Sequence, residues 1–349
     1  MSTVNPLILQ RINDALNFKE ADRVPIWEML QHPGAFAHFA PGVPFPECAV
    51  IACTCLGIDA TYGFYNVPAD DAPPRGSLVA AAQTLWQTAP VFPTLDALVH
   101  WQPPALDEAR LEEQLLAHYA NMQQLCGTEL LYLPQNGGFE FLPGYDTDTI
   151  MVFSEALSAD MPALERFWDY QAEVARARNA VTARHHAAPV VQCCIDVAYN
   201  TGLMVSPALL HEHFFPRFRR VIEPLKHAGI KVIWHSDGDI SSVLHEAIAI
   251  GIDGINPIDS GAPGMDIAAI KQAYGQKLIL VGNVGCNHVL RFGTPEEVRA
   301  DVRRCISAAS VGGGHLLQCG DGQIMPDCPL ENVIAYMDEA HRFGRYARG

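Results

Sequence analysis

Basic residues are scarce in this chain of 349 residues: 23 Lys and Arg stand against 39 Asp and Glu, a formal net charge of −16. So acidic a surface repels phosphate backbones, and no Lys/Arg cluster offsets it locally, so nucleic acid is excluded as the expected partner. Long apolar runs are also lacking. Hydrophobic residues make up 49% of the sequence, yet no run approaches the roughly 18 residues that a membrane span needs, and there is no low-complexity tract. The opening MSTVNPLILQRINDALNF mixes Arg11 and Asp14 into an apolar pattern with neither a long apolar core nor a small-residue cleavage site, so no export signal is expected and the cytoplasm is the expected compartment. The 10 cysteines have no paired spacing, which fits reduced thiols better than a disulfide framework, and Cys193 and Cys194 read as core.

What is present is a recurrence of short apolar runs, most of them followed by a turn and a helical pattern: VPIWEM, IDATYGF, ELLYLP, VVQCCI, KVIWH, DGINP, KLILVGN and HLLQC. Runs rich in Val, Ile and Leu that do not alternate describe strands buried on both faces, and intervening helices imply parallel crossovers. Eight such units predict an α/β fold, a closed (β/α)8 barrel. Ser206-Pro207 is expected to open a helix ending near Gly229, and Thr294-Pro295-Glu296-Glu297 combines a capping box with proline at the first helical position. Residues 1–349 are taken as one barrel domain. The longer stretch 66–127, between the second and third runs, is expected to be an insertion forming a hairpin and an acidic helix that caps the mouth.

Chemistry in such barrels gathers at the C-terminal ends of the strands. The residues closing the runs are Glu28, Gln135 with Asn136, Asp196, His235, Asn256, Asn283 and Cys319, a polar ring nearly free of Lys and Arg. The stretch KVIWHSDGDI is the most informative. His235 falls where the fifth strand meets the mouth, and Asp237 follows at the spacing that returns a side chain to the same side. Gly238 permits a tight turn, and Asp239 reads as a cap for the helix beyond it. His235 and Asp237 suit either an acid–base pair or ligation of a metal. With a divalent ion present, Cys319 would join them, because imidazole, carboxylate and thiolate are all zinc ligands.

The segments ADRVPIWEM, SPALLHEHFFPRFRRVIEPLKHAGIKVIWHSDGDI, GIDGINPID, GMDIAAIKQAYGQKLILVGNV, FGTPEEVR, GGGHLL and CPLENVIAYMDEA resemble the uroporphyrinogen decarboxylase superfamily over nearly the whole chain. The resemblance implies a (β/α)8 barrel, often dimeric, and either decarboxylation or methyl transfer involving thiols or corrinoid proteins. The decarboxylases of the superfamily meet a carboxylate-rich macrocycle with arginines after the first strand. Here that stretch reads IWEMLQHPGAF, with Leu30 where the first such arginine is expected and Glu28 nearby, which implies a different substrate. The thiol-directed methyltransferases hold zinc with a His-x-Cys pair on the fifth strand and a later Cys; the equivalent pair here is His235-x-Asp237, with Cys319 the later residue.

The expectation is therefore a cytoplasmic, homodimeric methyltransferase that moves a methyl group from a small donor to a corrinoid protein or thiol. His235, Asp237 and Cys319 hold zinc, or act as an acid–base set without it. Asp196 handles a proton, while Glu28, Gln135, Asn136, Tyr199, Asn256 and Asn283 bind substrate, with Phe139 and Phe141 walling the pocket. The alternatives are a metal-free decarboxylase or lyase for a small carboxylic acid, and a non-catalytic binding barrel.

Overall fold

The computed structural model describes residues 4–65, 78–81, 84–87, 91–142, 147–320 and 322–346. Eight parallel segments follow one another around a ring: bridge-paired Ile26 and Trp27, then Ala60–Thr61, Leu131–Tyr132, Val190–Cys194, Lys231–His235, Gly254–Asn256, Ile279–Val281 and His315–Leu316. These are the eight runs expected from the sequence. The fourth to eighth form a continuous sheet, and the second pairs with the third. Backbone hydrogen bonds join the pieces: Trp27 N to Leu317 O at 3.0 Å, Glu28 N to Ala60 O at 3.0 Å, Leu131 N to Asp59 O at 2.9 Å and Gln192 N to Pro134 O at 2.9 Å. The ring is thus a (β/α)8 barrel, and no helix is long and apolar enough to cross a membrane among the described residues.

Because successive strand side chains point to opposite faces, each strand divides into a lumen set and an outer set. Trp27, Ala60, Leu131, Val190, Ile233, Ile279, Val281 and Leu316 cluster inside, with Ile8, Ile12 and Leu16 of the helix Pro6–Leu16 packed among them. That helix starts at Asn5, whose side chain accepts from Leu7 N–H, and carries proline in its first turn. On the outer face, Val191, Val232, Trp234, Ile255 and Leu280 pack against surrounding helices. Trp234 is fully buried between Phe214, Phe215 and Phe218, and its indole N–H donates to Ile195 O at 2.9 Å.

Helix ends follow the sequence signals. Ser206 caps Pro207–Leu209, which continues through a π-helical turn into Phe215–His227, and Gly229 follows with φ of 73°. Thr294 and Glu297 form the reciprocal capping box of Pro295–Ala309. The first two strands are tied by Asp59, which accepts from Ile26 N–H at 2.8 Å and pairs with both Arg11 and Arg23. Within the expected insertion, Leu78–Ala81 pairs antiparallel with Thr84–Gln87, so the hairpin is present. A capping role for 66–127 falls partly on residues outside those described.

Candidate active site at the barrel mouth

Above the apolar floor the lumen becomes polar. On the fourth, fifth and sixth strands, Cys194 is the register partner of His235, and His235 that of Asn256, so three side chains stand in a row on one face. Beneath them lies a chain of amides: Gln192 Nε2 donates to Asn256 Oδ1 at 2.7 Å, and Asn256 Nδ2 donates to Gln318. Asn256 Oδ1 also faces His235 Nδ1 at 2.7 Å. An acceptor there places a proton on Nδ1, which leaves Nε2 facing the mouth.

The segment after His235 curls back over it. Gly238 has φ of 81°, and any Cβ would collide with the backbone of Tyr199, so only glycine fits. Asp239 N–H donates to Tyr199 O at 3.0 Å, while its carboxylate accepts from Ser241 N–H at 3.0 Å and Gly264 N–H at 3.1 Å. These bonds match the structural role expected for Asp239. They hold Asp237 above the imidazole, and Asp237 N–H donates to Asp196 Oδ1 at 3.0 Å.

His235 Nε2 then lies 3.8 Å from Asp196 Oδ1 and 3.9 Å from Asp237 Oδ1. Among the described residues, Asp196, His235 and Asp237 form the group whose ligand atoms all lie within 4.8 Å of one another. Donors sharing one tetrahedral ion at about 2.0–2.2 Å each stand roughly 3.3–3.6 Å apart, so small side-chain movements would close these groups on an ion. Asp237 keeps 51% of its side chain exposed, yet its Oδ1 is enclosed and without a hydrogen-bond partner. Burial pushes the Asp237 carboxyl up to about 6, against the pull of His235 and with a further push from Asp196. Burial alone would lower the imidazole, but Cys194, which hydrogen-bonds it, together with Asp237 and Asp196, raises it well above its ordinary value. The groups that favour an imidazolium would equally favour a bound cation.

Several expected residues stand elsewhere, and strand alternation explains two of them. Trp27 faces the lumen, so Glu28 faces outward: it is fully buried, accepting from Cys319 N–H and Tyr336 Oη–H, each at 2.6 Å. Gln318 faces the lumen, so Cys319 also faces outward, with Sγ 3.4 Å from Glu28 Oε2. Cys319 therefore does not join His235 and Asp237, and Asp196 takes its place in the group; Glu28 is buried in the barrel wall. Asn283 is held by Arg304 and Ile258 O and lines a separate cavity with Asp301 and His288. Asn256 is buried under His235, where it orients the imidazole and is screened from substrate. Tyr199 is 53% exposed, and what it contributes to the site is its backbone.

A cavity of about 550 Å³ opens beside the polar row. Gln135, Asn136, Phe139, Phe141 and Asp196 line it, as expected. So do two residues that sequence reasoning passed over. Cys194 was taken as core; Cys193 is indeed buried, but Cys194 is exposed at the mouth. Its signal was the lone polar Gln192 within an apolar strand, which marks the lumen face that Cys194 shares two residues on. Arg178, on the helix Met161–His185, also lines the cavity, so the mouth is not free of cations.

Comparisons with known proteins agree with this architecture. The family described as uroporphyrinogen decarboxylase (URO-D) matches residues 146–343, more than half of the chain. A uroporphyrinogen decarboxylase of Azoarcus sp. (strain BH72) is 33% identical over 112 residues, 31% of this chain and 30% of that protein. One from Aliarcobacter butzleri (strain RM4018) is 26% identical over 155 residues, 44% of this chain and 42% of that protein. The chain thus spans less than half the length of these curated relatives. A solved structure described as a methyltransferase from Methanosarcina mazei superposes with a TM-score of 0.68 and 17% identity, covering 96% of this chain and 98% of that one, and it supports the fold.

Proposed function

The chain belongs to the uroporphyrinogen decarboxylase family, and from that premise we propose that it is a methyltransferase, moving a methyl group from a small donor to a thiol or corrinoid protein with zinc held by Asp196, His235 and Asp237. The observation that carries this reading is the convergence of one imidazole and two carboxylates within 4.8 Å at the barrel mouth, beside a cavity of substrate size. Three protein ligands with one position left open are the pattern of a catalytic zinc site. The enclosed, unpartnered Oδ1 of Asp237 supports a cation there, since a buried carboxylate oxygen is normally satisfied. Zinc, when bound, supplies a Lewis acid for the donor's leaving heteroatom or lowers the pKa of a thiol acceptor.

The chain's own groups have distinct tasks. Asn256 fixes the imidazole so that Nε2 points toward the ion's place between the two carboxylates. Cys194 stands beside His235 in the same space and helps to hold the imidazole in place. In the transfer, the carbon–heteroatom bond of the donor breaks, the heteroatom keeps the bonding pair and takes a proton given up by the acceptor thiol, or by water when the acceptor is a corrinoid, and the methyl carbon bonds to the acceptor nucleophile. Among the described residues one arginine lines the cavity, and Leu30 is buried in the barrel wall, which favours a substrate other than a macrocycle bearing many carboxylates. Incubation with methoxy, methylthio and methylamino donors, with a free thiol or cob(I)alamin as acceptor, tests the reading: methylated acceptor is expected from the wild type and not from His235→Ala. The curated relatives are decarboxylases; carbon dioxide release without methyl transfer would replace this reading by decarboxylation of a small acid.

A further inference from the structure

Arg178 is the cation of the cavity, and it is not discharged by the protein. It sits in the second half of the helix Met161–His185 and is partly buried. Its Nη2 donates to Gly138 O at 2.8 Å, a neutral carbonyl, and its Nε is enclosed without a partner. Among the described residues it forms no ion pair: Arg166, Arg217 and Arg220 all find carbonyls or carboxylates elsewhere on the surface of the same helix layer, but no carboxylate reaches Arg178. Glu140 lines the same cavity and does not pair with it, and burial raises the Glu140 carboxyl, favouring its neutral form. An unpaired guanidinium taken out of water costs several kcal/mol, and proteins keep such a charge where an anion arrives to meet it. Its fork of N–H donors matches a carboxylate.

The rest of the wall is apolar or aromatic, with Phe139, Phe141, Phe153 and Leu157, and the floor is Cys194 and Asp196 at the barrel mouth. We propose that this cavity selects a small monocarboxylate with an apolar body, its carboxylate held by Arg178 and its far end presented to the polar row at Cys194 and Asp196. Resting on the assignment of this cavity as the substrate site of the proposed reaction, the inference names the substrate class and is independent of which group is transferred.

The test is calorimetric binding at pH 7 of acetate, benzoate and 4-methoxybenzoate, each against its neutral primary amide, to the wild type, Arg178→Lys and Arg178→Met. At least one acid is expected to bind about tenfold or more tightly than its amide. Arg178→Met should remove that preference by weakening the acid far more than the amide, and Arg178→Lys should keep part of it. If Arg178 merely anchors the loop at Gly138, Arg178→Met weakens acid and amide alike, which overturns the proposal, as does the absence of any acid preference across the panel. Zinc content and methyl transfer measured on the same preparations separate the two readings: acid preference without zinc or transfer supports the carboxylate site and sinks the metal-dependent methyltransferase.

Discussion

Replacing Glu28 with glutamine tests whether the residue belongs to the barrel wall. Glu28 is fully buried, and burial pushes its carboxyl from 4.5 up to about 7, against the hydrogen bonds from Tyr336 and Cys319 that favour its ionised form. In the unfolded chain it returns to its ordinary value, so between pH 4.5 and 7 the native state binds more protons than the unfolded one. The contribution of Glu28 to stability is thus fully present below pH 4.5 and is lost as pH rises through 7, a total of about 3 kcal/mol. Glutamine keeps an acceptor for Tyr336 Oη–H and Cys319 N–H and has no charge to bury. Urea unfolding from pH 5 to 8.5 should therefore show the wild type losing roughly 3 kcal/mol relative to Glu28→Gln across that window, with the variant the more stable partner at high pH. Parallel pH profiles of the two proteins would refute the reasoning. Loss of activity in Glu28→Gln with stability unchanged would return Glu28 to the chemistry.

Three further outcomes follow from the same geometry. Asn256→Leu removes the partner of His235 Nδ1 and should weaken zinc binding by about 10–100-fold, measured by competition with a chelating dye, while the fold's circular dichroism is retained. Cys194 should react with iodoacetamide far faster than buried Cys193, and His235→Ala should slow Cys194 while leaving exposed Cys55 unchanged, as read by peptide mass spectrometry. Gly238→Ala forces a Cβ into the Tyr199 backbone at φ of 81° and should cost more than about 2 kcal/mol in urea unfolding.

The barrel was legible because its strands are buried on both faces and so stand out as apolar runs between helix signals; all eight lie where the runs lie. The same property hides which face is which. In VPIWEM both alternating sets, Ile26 with Leu30 and Trp27 with Met29, are apolar, so nothing local says that Glu28 points outward. In VVQCCI and HLLQC a single glutamine betrays the lumen side, and it places Cys194 inward and Cys319 outward, a signal in the sequence that polarity at the strand end overrode. His235-x-Asp237 was readable because its spacing and glycine impose a local turn. Asp196 was found as a strand-end acid, but its meeting with His235 depends on the Tyr199–Gly238 contact between two loops. Arg178 carried no signal, since an arginine on a long helix usually meets water, and only the loop through Gly138 turns it toward a cavity.

We propose that Asp196, His235 and Asp237, and not Cys319, make a metal centre at the mouth. Zinc per chain, measured by mass spectrometry of elements in the wild type, Asp196→Ala, His235→Ala and Cys319→Ser, tests it most directly. About one zinc is expected in the wild type and Cys319→Ser and none in the other two. A wild type without zinc, or zinc lost on replacing Cys319 and retained on replacing Asp196, would contradict it.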